Sequence, residues 1–394
     1  MLNQYRKVLS VPGSRRLLAT ALVGRLPQGM SSLAILLLVR GTTHSYAAAG
    51  AAVGAYALAC AVVAPLQGRL VDRFGRLRVL VPTAVGQAVV LTVLVVSARA
   101  HAGGGVLVVL SGLAGALVPP IAPTVRALLR EILHDPDVRE TAYALESVIQ
   151  ELVWITGPLL VAVIITATST SVAILLLAVV CVGGTALFVR SPLARDRAAP
   201  ESPHQRTAAL ASGQLQALLG PIALTGVGLG AIEVGLPSLA LHAGSRSASG
   251  VLLALWSAGS LVGGLWYGSR SWRSSLAVRY RALLLLAIAF TAPLIAARSI
   301  PAGMVCSLLA GLVIAPLFSC QYALVGRTAR PGTETETFTW VTAALVSGIA
   351  GGSAAGGAVI GSGGVAAPFV LSCLATALAA TLAVGLRSRV EQPA

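Results

Sequence analysis

Four ionisable side chains stand inside long apolar runs: Arg25, Glu146, Glu151 and Glu233. A charge in hydrocarbon is expensive, so such residues pair, face a water-filled cavity or carry protons. Arg25 and Glu151 each lie roughly ten residues into their runs, entering from the same side, which as helix is about 15 Å of depth. That equal depth makes them candidate partners. Glu146 is nearer the end of its run, with Gln150 one turn beyond it. Glu233 sits in the outer half of its own run with no basic neighbour on that helix. Burial favours the neutral acid, whereas a nearby guanidinium favours the carboxylate. An acid shown first one environment and then another can therefore couple proton movement to a solute. The plainer alternatives are a packing ion pair for Arg25 and Glu151, and a water-facing rim position for Glu233.

The composition says what must position these groups. Of 394 residues, 56% are hydrophobic and 10% charged, whereas soluble domains are nearer a quarter charged. The fold class is an all-α membrane protein. Twelve runs are long enough to cross about 30 Å of hydrocarbon as helix. They are 16–39, 46–67, 79–98, 104–127, 142–165, 171–189, 215–241, 248–268, 281–298, 302–326, 337–358 and 365–386. They lack the strict alternation of barrel strands. The first is long enough to span, so it is expected to stay in place rather than act as a cleaved signal peptide.

Arginine placement sets the expected orientation. With the N-terminus in the cytoplasm, 23 basic residues fall on that side and four (Arg40, Arg99, Arg246, Arg298) on the other. This asymmetry predicts both termini inside. It also accounts for the net charge of +15 as a topology signal rather than a nucleic-acid surface. Residues 190–212 are polar and Pro-bearing, with six runs before and six after. The expected organisation is a first six-helix half (1–189), a cytoplasmic linker (190–212) and a second half (213–394), two parallel repeats. The five cysteines lie in apolar runs without metal or disulfide spacing. No P-loop and no nucleophile–base pair is present, so neither catalysis nor a cofactor is expected.

Between the second and third runs lies Gly68-Arg69-Leu70-Val71-Asp72-Arg73-Phe74-Gly75-Arg76-Leu77-Arg78. This G-x-L-x-D-R-x-G-R-x-R pattern resembles the signature loop of the major facilitator superfamily (MFS). The resemblance implies the MFS fold of 12 spans in two halves. It also implies that Asp72 braces the cytoplasmic side against span 11 when the cavity opens outward. Thr333-Glu334-Thr335-Glu336 reads as a capping box opening span 11. The expected gate therefore comprises Gly68, Asp72, Arg73, Gly75, Arg76 and Glu336, with Arg73 or Arg76 paired to a span 11 glutamate. The second half carries no acid at the corresponding place, Tyr267 to Arg270.

Pro27, Gly157-Pro158, Pro119, Pro120, Pro237 and Pro316 are expected to break or kink their spans. Gly157-Pro158 also resembles the end of an antiporter motif, although Val153 and Val161-Ala162 replace its other glycines. The basic residue usual early in span 4 is absent, and Arg126 lies at the far end of that run. Gly348, Gly352 and Gly356 mark a close-packing face on span 11, and Gly50 with Gly54 and Gly259 with Gly263 mark shorter ones. Gln28, Trp256 and Trp340 are expected in the cavity, where little charge and some aromatic surface suit an amphipathic solute.

Within the superfamily the resemblance is to 12-span bacterial drug or metabolite exporters. It implies proton-coupled efflux, as an antiporter serving drug resistance, by a monomer in the bacterial inner membrane. The implied partners are a small-molecule substrate, protons and the lipid bilayer. Transport of a sugar or another polar metabolite, a non-transporting receptor or assembly role, and lipid handling are the competing readings.

Overall fold

The computed structural model describes residues 2–194, 209–245 and 248–385. Most of the expected linker lies outside these residues, as do Arg246, Arg387 and Arg389. Among the described residues, 12 helices are long and apolar enough to cross a membrane, and no strand forms. They are span 1 (Ser14–Thr43), span 2 (Tyr46–Phe74), span 3 (Arg76–Arg99), span 4 (Gly104–Ile132), span 5 (Pro136–Ala167) and span 6 (Thr170–Val189). The second half has span 7 (Gly213–His242), span 8 (Ala248–Gly268), span 9 (Leu276–Ala296), span 10 (Ile300–Thr328), span 11 (Glu334–Gly361) and span 12 (Ala367–Gly385). A short amphipathic helix, Leu2–Ser10, precedes them. The end of the bundle that holds this helix and the Arg69–Arg78 connection is called the basic end below.

The breaks fall at some of the expected prolines and not at others. Span 4 is interrupted between Ala116 and Ile121, where Pro119 and Pro120 cannot donate to the helix ladder. Span 10 is interrupted at the corresponding place in the second half, between Gly311 and Ile314. Span 1 runs unbroken through Pro27, and span 5 runs unbroken through Gly157 and Pro158. Gly157 is instead a crossing point. A Cβ there would stand 2.7 Å from the Gly29 Cα of span 1, so the two backbones touch.

The loop expected over 68–78 shrinks to one residue. Span 2 stays helical to Phe74, span 3 starts at Arg76, and Gly75 turns the chain alone at φ 89°, a conformation side chains resist. Among helix pairs, spans 7 and 11 share the most extensive contact. Gly348, Gly352 and Gly356 lie against Ala223, Val227 and Ala231 of span 7, which bears out that stripe. Gly259 and Gly263 pack against span 10, whereas Gly50 and Gly54 meet nothing within 4 Å.

One core of buried side chains joins both halves at the basic end, from Val8 and Leu17 through Tyr143 to Phe338. A second core, built from Met30, Leu38, Tyr56, Leu91 and Leu177, belongs to the first half alone. Spans 1 and 7 share no more than marginal contact, whereas span 2 packs on 11, and span 5 on 8 and 10. The halves are thus joined at the basic end and separate towards the other.

Candidate functional site

The seam at the basic end is built from two unlike latches. In the first, span 2 caps span 11. The Asp72 carboxylate accepts from the backbone N–H of Thr335 at 3.0 Å and of Glu336 at 2.8 Å. These are orphan donors of the first turn, and the helix dipole adds to the attraction. The expected capping box does not form: Thr333 makes no side-chain cap, because Asp72 occupies that role from the other half. Gly68 makes the approach possible, since a Cβ there would fall 2.8 Å from the Glu336 Cα.

The side-chain pairs of this latch differ from those expected. Glu336 binds Arg69 through two bonds of 3.1 and 3.2 Å, and accepts from the Ala209 N–H at 3.2 Å. Arg76 instead reaches Glu131 of its own half at 2.6 Å. Arg73 lies over the Phe74 ring. Arg130 of span 4 meets Glu334 at 3.1 Å. The reason is helix rotation: Arg69 shares a face with Asp72, whereas Arg76 begins a new helix beyond the Gly75 turn.

The second latch inverts the chemistry. Here the second half offers a cation, Arg279 of span 9, and span 5 supplies the acid, Glu140. The pair is close and bidentate, and Tyr267 donates to the same carboxylate at 3.0 Å. The missing acid after span 8 is therefore replaced from the facing half. Tyr5 of the N-terminal helix crosses to the same span, donating to the Leu265 carbonyl at 2.8 Å.

Deeper in the bundle, charge gathers around Glu146. Arg25 Nη1 donates to both Glu146 oxygens at 2.8 Å, and its Nη2 binds the Gln150 oxygen closely. Arg126 lies 3.2 Å from the same carboxylate through Nε, and its Nη2 reaches Gln150 at 3.4 Å. Arg126 also crosses to the second half. Its guanidinium stacks 3.9 Å over the Tyr322 ring of span 10, and its Nη1 donates to the Thr342 hydroxyl of span 11 at 3.4 Å. All three charged residues are buried: Arg25 is 2%, Arg126 3% and Glu146 0% exposed. Tyr143 plugs the space below, its ring against Tyr322 and Phe338 and its hydroxyl 3.4 Å from the Arg126 carbonyl.

The pairing of Arg25 with Glu151 expected from depth is thus corrected: Glu146 is the partner. Residues 146 and 150 share the helix face turned to Arg25, and Glu151 is rotated away. Glu151 is buried, on the helix that packs on span 8, and makes no ion pair among the described residues. Glu233 is exposed and makes no ion pair among the described residues. Gln28 is half-buried. The indole N–H groups of Trp256 and Trp340 are buried without a partner. Among the described residues no cluster has metal-ligand composition.

The sequence pattern of the Major Facilitator Superfamily matches residues 17–274. The chain belongs to that superfamily. Among curated proteins, none matches the sequence. The MFS fold recurs in solved structures of low identity. A human organic anion transporter, MFSD10 (TETRAN), is 19% identical, with a TM-score of 0.75 over 94% of this chain and 99% of its own. A bacterial homologue of the iron transporter ferroportin in its outward-facing state is 14% identical, with a TM-score of 0.76 over 95% and 99%. The E. coli fucose:proton symporter FucP is 11% identical, with a TM-score of 0.72 over 98% and 100%. The protein is an MFS transporter of the multi-pass, 12-span kind.

Two MFS seam residues escaped the sequence. Arg69 was hidden among three other cations of its loop. Arg126 looked like a topology charge near a span end. The helix actually continues to Ile132, which puts Arg126 inside the bundle, and its four-residue spacing from Arg130 was the one visible sign of a shared face.

Proposed function

We propose that this MFS protein is a proton-coupled exporter of a small amphipathic compound. It works by alternating access in a bacterial inner membrane, with the basic end and both termini in the cytoplasm. The observation that carries this reading is the placement of Glu151. It is a buried acid on span 5, the helix that packs on spans 8 and 10 of the second half, one residue beyond Gln150 of the charged cluster. Alternation changes what surrounds such a carboxylate, and so whether it holds its proton. The seam supports the rest of the scheme. With both latches made, the basic end is shut and the opposite end is the open one, the outward-facing arrangement. Releasing the Asp72 and Glu140 latches opens the cytoplasmic side and lets cargo load from within.

The test uses everted vesicles carrying the protein, energised to an acid interior, with luminal pH followed while amphipathic compounds and sugars are added. A compound-evoked pH change in wild type that is lost in Glu151→Gln or Glu233→Gln is the expected result. No response to any compound, or a response that survives both substitutions, refutes proton coupling through these acids.

A further inference from the structure

The charged seam holds two guanidiniums and one carboxylate. Arg25 and Arg126 share Glu146, and among the described residues no other acid is bonded to either. Taken alone, the cluster carries one surplus positive charge deep in the bundle. Three donors of the cluster, the Nε groups of Arg25 and Arg126 and the Gln150 amide nitrogen, are buried with no hydrogen-bond partner among the described residues, although the Arg126 Nε lies 3.2 Å from Glu146. A buried donor left unpaired is costly, and a buried unpaired charge more so. In this closed state the electron-rich face of Tyr322, 3.9 Å from the Arg126 guanidinium, and the Thr342 hydroxyl partly offset that cost. Both belong to the second half. When the basic end opens they leave with it, and Arg126 is uncovered on that side.

We propose that the uncovered Arg126, with Arg25 and Gln150 beside it, binds the anionic group of the cargo, a carboxylate or a group of like charge on an otherwise apolar molecule. This rests on the reading that cargo loads from the basic end. A guanidinium fork suits a planar carboxylate, and the Tyr322 and Phe318 rings, stacked at 6.2 Å, offer an apolar wall as the site recloses.

The experiment measures equilibrium binding to the purified full chain in detergent, by the thermal shift of the protein. The probes are 1-naphthoate, its uncharged amide and 1-naphthylmethylammonium. Naphthoate is expected to bind, and the amide and ammonium at least tenfold more weakly. Arg126→Gln is expected to lose at least tenfold for naphthoate, while Arg126→Lys, which keeps the charge, loses less. Equal binding of acid and amide, preference for the ammonium, no binding of naphthoate, or equal losses in the Gln and Lys variants each overturns the proposal. Because no gradient is present, this result is independent of the proton-flux assay. Naphthoate binding without vesicle proton flux would refute the coupling and leave the anion site standing.

Discussion

Replacing Asp72 by Asn tests the capping latch with little change of shape. The Asp72 carboxylate accepts two backbone N–H groups of the first turn of span 11, at 3.0 and 2.8 Å. Asn keeps one acceptor oxygen and no charge. Losing one charge-assisted hydrogen bond costs about 1.5–3 kcal/mol. Losing the negative charge at a helix N-terminus adds about 0.5–1 kcal/mol. The state shut at the basic end should therefore lose about 2–4 kcal/mol relative to the state open there, or about 30- to 1000-fold in population at about 1.4 kcal/mol per tenfold. The reporter is Thr339→Cys in a cysteine-free background. Thr339 is fully buried at the seam against Gly68, and the substitution trades its hydroxyl for a thiol and removes one methyl group. An impermeant maleimide is added from the basic end. When opening and closing are fast, the labelling rate follows the open population, so it should rise at least tenfold on Asp72→Asn. A rate unchanged within about twofold, or one that falls, refutes the capping argument.

Other perturbations separate the remaining contacts. Arg69→Ala should cost under about 1 kcal/mol, because the Arg69 side chain is half exposed, and detergent melting should barely move. Glu146→Ala leaves two buried guanidiniums without their acid and should cost about 3–5 kcal/mol, read as a large loss of melting temperature or of folded yield. Gly352→Val drives a side chain into the Val227 backbone and should destabilise by about 1–3 kcal/mol or more, whereas Gly54→Ala, with open space around it, should melt as wild type does. Glu140→Ala should destabilise and open the basic end, which the Thr339→Cys reporter reads as faster labelling, and Arg279→Ala in the same chain should restore part of the lost stability.

The parts legible in the sequence are those fixed by local pattern. Span number follows from hydropathy, and the contact of Asp72 with span 11 from the resemblance of its loop to the superfamily signature. Partner choice is not local. Arg69 rather than Arg76 reaches Glu336, and Glu146 rather than Glu151 reaches Arg25, because the rotation of each helix, unlike its depth, is set by packing against neighbours. Arg126 was missed for the same reason as the length of span 4. The Pro119-Pro120 break allows a new helix to start, and a charge near an apparent loop became a buried one. Breaking power was likewise misassigned. Pro27 and Pro158 sit in helices that run on through them, whereas span 4 breaks at its double proline and span 10 just before Pro316.

The two latches also differ in what heredity can do with them. Asp72 is received by main-chain amides, which every residue type but proline presents alike. No exchange of a side chain at Thr335 or Glu336 can supply a replacement partner, so loss of Asp72 has no reciprocal suppressor in span 11. Glu140 and Arg279 meet side chain to side chain and can trade places in a pair of compensating changes. A selection for second-site revertants should therefore return swapped residues at 140 and 279. From a strain lacking Asp72 it should return restorations of an acid at position 72, or changes elsewhere that disfavour the opened state.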